Sequence, residues 1–173
     1  MRSRPLVLLY LLAAGYLYLL VRQVGRGLGA VAAGIPFEPV LMHGILPGFA
    51  VYSQAGQTSP GRMAAVLLTG PAFALLVGYL LLWAVARGAG RAPARLGIFL
   101  CAISYLALML DPLYYAVIPL LRMGGEPETL ARITGLSSRA IAIPAMAVLG
   151  LNVMLARKYL VPSIRAGQAR CRP

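Results

Sequence analysis

Few residues of this chain have side chains able to do chemistry. Of its four acidic residues only Asp111 falls inside a long apolar run, in Leu110-Asp111-Pro112-Leu113-Tyr114-Tyr115. An ionisable side chain in such a run is costly to hold in lipid and marks a functional position by default. Its carboxylate can ligate a metal, accept a proton, or bond a neighbouring Arg or Tyr; the plainer expectation is an Asp at a helix break, capping the piece that starts at Pro112. His43, in Leu41-Met42-His43-Gly44-Ile45, is the sole histidine. One imidazole supplies a single axial haem ligand where membrane cytochromes use more than one, and a catalytic zinc needs three protein ligands. His43 with the distant Asp111 and Glu38 falls short of both, and no serine has any other base to activate it. His43 is expected as a loop histidine with ordinary hydrogen bonds, and neither a metal nor a cofactor is expected. Arg22 and Arg26 stand one helical turn apart on one face, with Gln23 between them.

The elements that must position these residues follow from composition. The chain has 173 residues, of which 60% are hydrophobic and 12% charged, with 16 basic residues against 4 acidic and a mean hydropathy of +0.81. A soluble domain carries about a quarter charged residues, so these proportions exclude a water-soluble globular domain as well as disorder and collagen. The net charge of +12 does not indicate nucleic acid, because phosphate-binding residues lie together on a solvated face and these are scattered between apolar runs. All but one of the basic residues are Arg, the exception being Lys158, which with abundant Ala and Gly points to a GC-rich bacterial genome. Cys101 and Cys171 are too few for a disulfide framework or a four-thiolate metal site.

A hydrocarbon core about 30 Å thick takes about 20 apolar helical residues to cross. The expected fold is therefore an all-α polytopic membrane protein, a single membrane domain with spans at about residues 5–33, 63–86, 96–121 and 136–157. Arg2 and Arg4 before the first run and Arg22 after it give it the form of a signal anchor, with no small-x-small cleavage site directly behind it. The fourth run, 140–156, is short and is expected to borrow its first turns from 133–139, with Arg139 snorkelling, and to stop at Arg157 and Lys158. Pro112, Pro119 and Pro144 are expected to kink their helices, with the freed carbonyls covered by neighbours or water. Residues 34–62, rich in Gly and Pro, read as an extended or re-entrant segment rather than a straight helix, followed at the far end of the chain by a basic cytoplasmic tail, 158–173.

Basic residues concentrate on the cytoplasmic side of bacterial spans. Four spans place Arg2, Arg4, Arg87, Arg91, Arg95, Arg157, Lys158, Arg165, Arg170 and Arg172 on one side and Arg22, Arg26, Arg62, Arg122, Arg132 and Arg139 on the other. Both termini and the 87–95 loop are expected in the cytoplasm, with the protein in a bacterial inner membrane. If 34–62 also crossed, the N-terminus would change sides, but the 87–95 loop and the tail would stay inside.

The stretch Leu17-Tyr18-Leu19-Leu20-Val21-Arg22-Gln23-Val24-Gly25-Arg26-Gly27-Leu28-Gly29-Ala30 resembles the metal helix of the site-2 protease family of intramembrane zinc peptidases, which carries HExxH. In that resemblance Arg22 and Arg26 take the histidine positions and Gln23 that of the general-base glutamate. The Gly-rich segment from Ile35 to Gln57 is similar to the extended segment that follows the metal helix, and Gly70-Pro71 to the Gly-Pro pair that opens the next span, although the asparagine often found after it is absent. Asp111 lies in the span that supplies the family's third ligand, an Asp commonly followed by Gly, here by Pro112. The likeness runs from about Leu6 to Leu121 in order and spacing rather than identity.

The resemblance implies a zinc-binding hydrolase, and the residues in place contradict the chemistry. Guanidiniums have no lone pair to donate and repel a dication, and Gln23 is no general base. The expectation is a non-catalytic scaffold or binding protein with a remnant pocket of Arg22, Gln23, Arg26 and Asp111, in contact with the bilayer and with transmembrane segments of another protein. A small hydrophobic subunit of a larger membrane complex is the alternative, and an active metallopeptidase with an atypical site at Asp111, His43 and Glu38 the second. Gly70, Ala74 and Gly78, spaced by four, are expected to make a close helix contact in either of the first two cases.

Overall fold

The computed structural model describes residues 4–42, 46–51, 59–88 and 94–162. Helix α1 covers Arg4–Ala33, followed by strands β1 (Phe37–Met42) and β2 (Leu46–Val51). Helices α2 (Pro60–Gly88), α3 (Ala94–Leu121), α4 (Glu126–Thr134) and α5 (Ser138–Leu155) follow, the last running on through a π-helical stretch, Ala156–Leu160. Four of these helical segments, Leu8–Ala33, Pro60–Arg87, Leu96–Leu121 and Ser138–Leu160, are long and apolar enough to cross a membrane. Their outward faces keep Leu8, Leu12, Leu76, Leu80, Trp83 and Met154 exposed, which is the surface of a bundle solvated by hydrocarbon. The chain is a multi-spanning helical membrane protein.

The first span ends for a local reason. Gly34 takes a φ of 65°, its amide donates to the Val31 carbonyl at 3.0 Å and that of Ile35 to the Ala30 carbonyl at 2.9 Å. This is the paired-bond cap that a left-handed glycine permits, sealed by Ile35 packing on Ala30 and Val66. Extended chain follows, in the form of an antiparallel strand pair with Phe37 opposite Val51 and Met42 opposite Leu46. His43 lies outside the described residues. Helix α2 starts at Pro60, a residue pre-organised for a first helical turn.

Proline placement accounts for much of the helix packing. Pro71 in α2 and Pro112 in α3 each remove an amide that would bond the carbonyl four residues earlier. The freed Leu67 carbonyl accepts from the Tyr115 hydroxyl at 3.3 Å. The freed Leu108 carbonyl accepts from the Asn152 side-chain amide at 2.6 Å, and Tyr79 donates to the other end of that amide at 2.5 Å. In hydrocarbon such carbonyls need partners, and these hydrogen bonds tie α2 to α3 and α3 to α5. The small-residue stripe of α2 faces inward: Ala74 packs with Tyr18 and Ala107, and Gly78 rests against Ala107 and Leu108 while accepting from Ser104 at 2.9 Å.

Three sequence expectations need correction. Asp111 does not cap a helix, because α3 runs unbroken through Pro112; its first-turn-like neighbourhood is the interior of a long helix whose freed carbonyl finds a partner elsewhere. Of the stretch 133–139 expected to supply the fourth span's first turns, only Ser138 and Arg139 belong to it. Ile133 belongs to α4, which ends at Gly135 in a left-handed cap (φ 71°), and α5 begins behind a separate cap, Ser137, whose hydroxyl oxygen accepts from the Ala140 amide at 3.2 Å. Nor does the helix stop at Arg157 and Lys158, since it continues to residue 162. In its extra turns Ala156 and Leu160 pack with Leu82, Val85 and Cys101.

Candidate functional site

Helices α1, α2 and α3 set the site. Helix α1 approaches α2 closely at Gly70, where an added Cβ would lie 2.7 Å from Cγ of Arg26 and 3.1 Å from the Arg22 carbonyl. Only glycine leaves room there for the Arg26 stem. Arg22 and Arg26, one turn apart, thereby project from the α1 face that meets α3 and the start of α4. Arg22 Nε donates to Asp111 Oδ1 at 2.8 Å. Its Nη1 reaches Glu126 Oε1 at 3.5 Å, and its Nη2 donates to Glu126 Oε2. Arg26 Nη1 donates to Glu126 Oε1 at 2.8 Å, and the Tyr115 hydroxyl stands 3.5 Å from Glu126 Oε2.

Glu126 was not singled out in the sequence, although its neighbourhood carries a readable signal. Gly124-Gly125-Glu126-Pro127 is a helix start, with proline in the first turn and acidic residues at Glu126 and Glu128. Gly124 and Gly125 have φ of 77° and 93°. A Cβ at Gly125 would also collide with the Tyr114 hydroxyl, so this residue type is needed both for the turn and for the approach of Tyr114. The reversal carries Glu126 back onto α1, a contact across about a hundred residues that no local pattern announces.

Burial sharpens the electrostatics. The Asp111 side chain is 3% exposed, Arg22 13%, and Arg26 and Glu126 18% each. Two guanidiniums and two carboxylates balance, which is the condition for holding charge away from water. Hydrogen bonding is incomplete: among the described residues Asp111 Oδ2, Arg26 Nε and Gln23 Oε1 are buried without a partner, with the Tyr18 hydroxyl close enough to the Asp111 carboxylate to interact with it. Asp111 also lines two cavities. One, of about 430 Å³, lies between Tyr18, Arg22, Tyr114 and Glu126. The other, of about 370 Å³, lies on the far side among α2, α3, α4 and α5.

Of the residues singled out in the sequence, Arg22, Arg26 and Asp111 meet in one cluster. Gly70 packs against Arg26, Pro71 lines the 370 Å³ cavity beside Asp111, and Gln23 is buried at 7% exposure in the same turn of α1. Glu38 sits on β1 at an exposed position. Among the described residues no group of three His, Cys, Asp or Glu side chains could hold a metal ion. A zinc ion does not fit the cluster itself: the nearest nitrogens belong to guanidiniums, all donors, and both carboxylates already accept from them.

No family model, curated protein or solved structure matches this chain. The structure shows the class, a helical membrane protein with a charge-balanced ion-pair cluster among its spans.

Proposed function

We propose that the chain is a non-catalytic relative of the site-2 protease family, a membrane scaffold that binds transmembrane segments of another protein. One observation carries the reading: Arg22, Arg26 and Asp111, which the resemblance assigns to the three metal-ligand positions, meet in a single buried cluster with Glu126. Arg–carboxylate pairs hold α1, α3 and α4 together where a metal would hold two helices. Hydrolysis by the inherited route is lost, because neither guanidinium can bind zinc and Gln23 cannot take a proton from water.

In this reading the protein sits in a bacterial inner membrane with both termini and the 87–95 loop in the cytoplasm. Arg87 lies 4.2 Å over the Trp83 ring, and Lys158 5.2 Å from that of Tyr159. Both pairs lie toward the C-terminal ends of their helices, at the end of the bundle where Val85 and Leu160 share a core cluster. Basic-aromatic pairs of this kind anchor spans at a headgroup layer.

The test restores the motif. Arg22→His, Gln23→Glu and Arg26→His introduced together are expected to confer one equivalent of zinc on the purified protein, measured by elemental analysis, and Asp111→Ala in that background to remove it. A folded triple variant with no zinc above the parent would refute the lineage. Stoichiometric zinc in the parent, lost on His43→Ala, would instead favour an active enzyme with an atypical site.

A further inference from the structure

Glu126 is the one member of the ion-pair cluster that does not come from a membrane-spanning helix. Its two oxygens take Nη1 of Arg26 at 2.8 Å and both Nη atoms of Arg22. Two guanidinium forks closing on one planar carboxylate are the geometry of an anion site, and here the anion is part of the chain. It is also the member held least firmly. Asp111 lies inside α3 with its side chain 3% exposed, bonded to Arg22 Nε and with the Tyr18 hydroxyl beside it. The Glu126 side chain is 18% exposed, on the first residue of α4, behind a turn in which Arg122, Gly124 and Gly125 have φ of 52°, 77° and 93°. An arginine is strained at such an angle and glycines have other angles open to them, while the buried Pro127 and Leu130 seat the rest of the helix.

A cavity of about 430 Å³ adjoins this pairing. Arg22 and Glu126 both line it, with Tyr18, Leu19, Leu110 and Tyr114 as its largely apolar walls. Leu110 is 39% exposed, so the space communicates with the lipid around the bundle. Small-molecule sites have this size, whereas a helix about 10–12 Å across would fill it in about one turn. The occupant it suits is a single small molecule and not a transmembrane segment.

We propose that Arg22 and Arg26 form a binding site for a membrane-soluble carboxylate amphiphile, that Glu126 occupies this site in the resting chain, and that the incoming carboxylate takes its place with the apolar body in the 430 Å³ cavity. Charge selects the ligand. Exchanging one carboxylate for another keeps two guanidiniums against two carboxylates. A neutral ligand would leave Arg26 unpaired once Glu126 moved away, and an ammonium would add a third buried cation. The same balance keeps the site shut when no anion is at hand, because Glu126 cannot leave without stranding its ion-pair partner Arg26. The ligand reaches the arginines by this exchange, so Arg26 Nε and Asp111 Oδ2 stay sealed throughout. The site stands whether or not the metallopeptidase lineage holds, since it uses only the ion pairs, the turn and the cavity.

The test uses the full chain in nanodiscs of zwitterionic lipid and three photoreactive probes of equal length, a decanoate, a decanol and a decylamine, each with a diazirine at the far end. Labelling of the exposed Leu151 and Met154 on α5 corrects for how much of each probe enters the bilayer. Peptide mapping by mass spectrometry is expected to find saturable labelling of α1 and α3 around Leu19 and Leu110 by the decanoate, about tenfold above the decanol, the factor one hydrogen bond to a charged group supplies. Glu126→Gln removes the competing carboxylate and is expected to lower the half-saturating decanoate concentration by about tenfold, whereas Arg26→Gln is expected to raise it by about tenfold. Glu126→Asp, one methylene shorter, is expected to lower it by about threefold, and decides the matter if the Gln variant fails to fold. Glu128→Gln, at an exposed position in the same turn, is expected to leave it unchanged. Decanoate binding that the folded Glu126 variants leave unchanged or weaken would overturn the proposal, because a carboxylate that only braces α4 competes with nothing. Labelling by the alcohol or the amine equal to that by the decanoate would overturn it as well.

Discussion

The neutral and the charged polar clusters described within this apolar bundle are satisfied to different degrees. In the neutral one, Tyr79, Asn152 and the Leu108 carbonyl form a closed chain of hydrogen bonds at 2.5 and 2.6 Å, with both ends of the Asn152 amide engaged. In the charged one, Arg22, Arg26, Asp111 and Glu126 balance in charge but leave Asp111 Oδ2 and Arg26 Nε without partners. Both fasten α3 to a neighbour. A neutral network that is fully paired needs nothing more and serves as helix glue. A charged cluster with spare acceptors and donors has capacity beyond what packing requires, and buried ionisable residues in spans are where binding and chemistry concentrate.

Mutations at the two clusters separate these roles. The largest effect is expected from Asp111→Ala, which leaves Arg22 buried and half paired and should cost about 3–5 kcal/mol. Unfolding of the detergent-solubilised protein in SDS measures it. A double variant, Arg22→Met with Asp111→Leu, should recover much of that loss; a double variant as unstable as the single one would show that pairing is not what the aspartate supplies.

Next comes Gly25→Ala, whose added methyl would sit 2.5 Å from Cβ of Phe73 and 2.7 Å from the Thr69 carbonyl. Forcing α1 away from α2 is expected to cost about 1–3 kcal/mol and to loosen the arginine face. Faster hydrogen exchange in the α1 amides near Arg22 than in those of α5 is the signature, and uniform acceleration across both helices would contradict it.

In the neutral cluster Asn152→Leu removes the donor to the Leu108 carbonyl and is expected to cost about 1–2 kcal/mol, the range of interhelical side-chain hydrogen bonds in bilayers. A loss larger than that of Asp111→Ala, in the same SDS titration, would reverse the ranking of the two clusters. The smallest effect is expected from Tyr115→Phe, about 0.6 kcal/mol, because the ring still packs with Leu67 and Leu130 and what goes is the bond to the Leu67 carbonyl and the long 3.5 Å contact with Glu126 Oε2. Thermal scanning that shows a much bigger drop would assign the hydroxyl a part in holding Glu126.

The spans were legible because each is a run of apolar residues whose own backbone bonds it satisfies, and α1 to α3 begin and end within a few residues of where hydropathy places them. The caps were partly legible: Gly34 and Gly125 are glycines because the backbone there has positive φ, and a Gly/Pro-rich segment announces extended chain without announcing which strands pair. Helix α4 escaped notice because its nine residues mix Glu, Arg and Leu and carry no run long enough to stand out from a loop. Glu126 escaped with it. Asp111 has the local form of a cap because a proline stands beside it, and only the Asn152 amide from another helix explains how α3 passes through Pro112 unbroken.

Sequence alone therefore determined a membrane-spanning helical chain, since burial in lipid imposes length and apolarity residue by residue, and it marked Arg22, Arg26 and Asp111 as charges that demand a reason. The tertiary structure decided their partners. Which carboxylate meets which guanidinium depends on how α1, α3 and the reversed start of α4 are brought together, and that is set by glycines at helix crossings and by carbonyls freed opposite prolines. These are interactions between residues tens of positions apart, satisfied in three dimensions and silent in one.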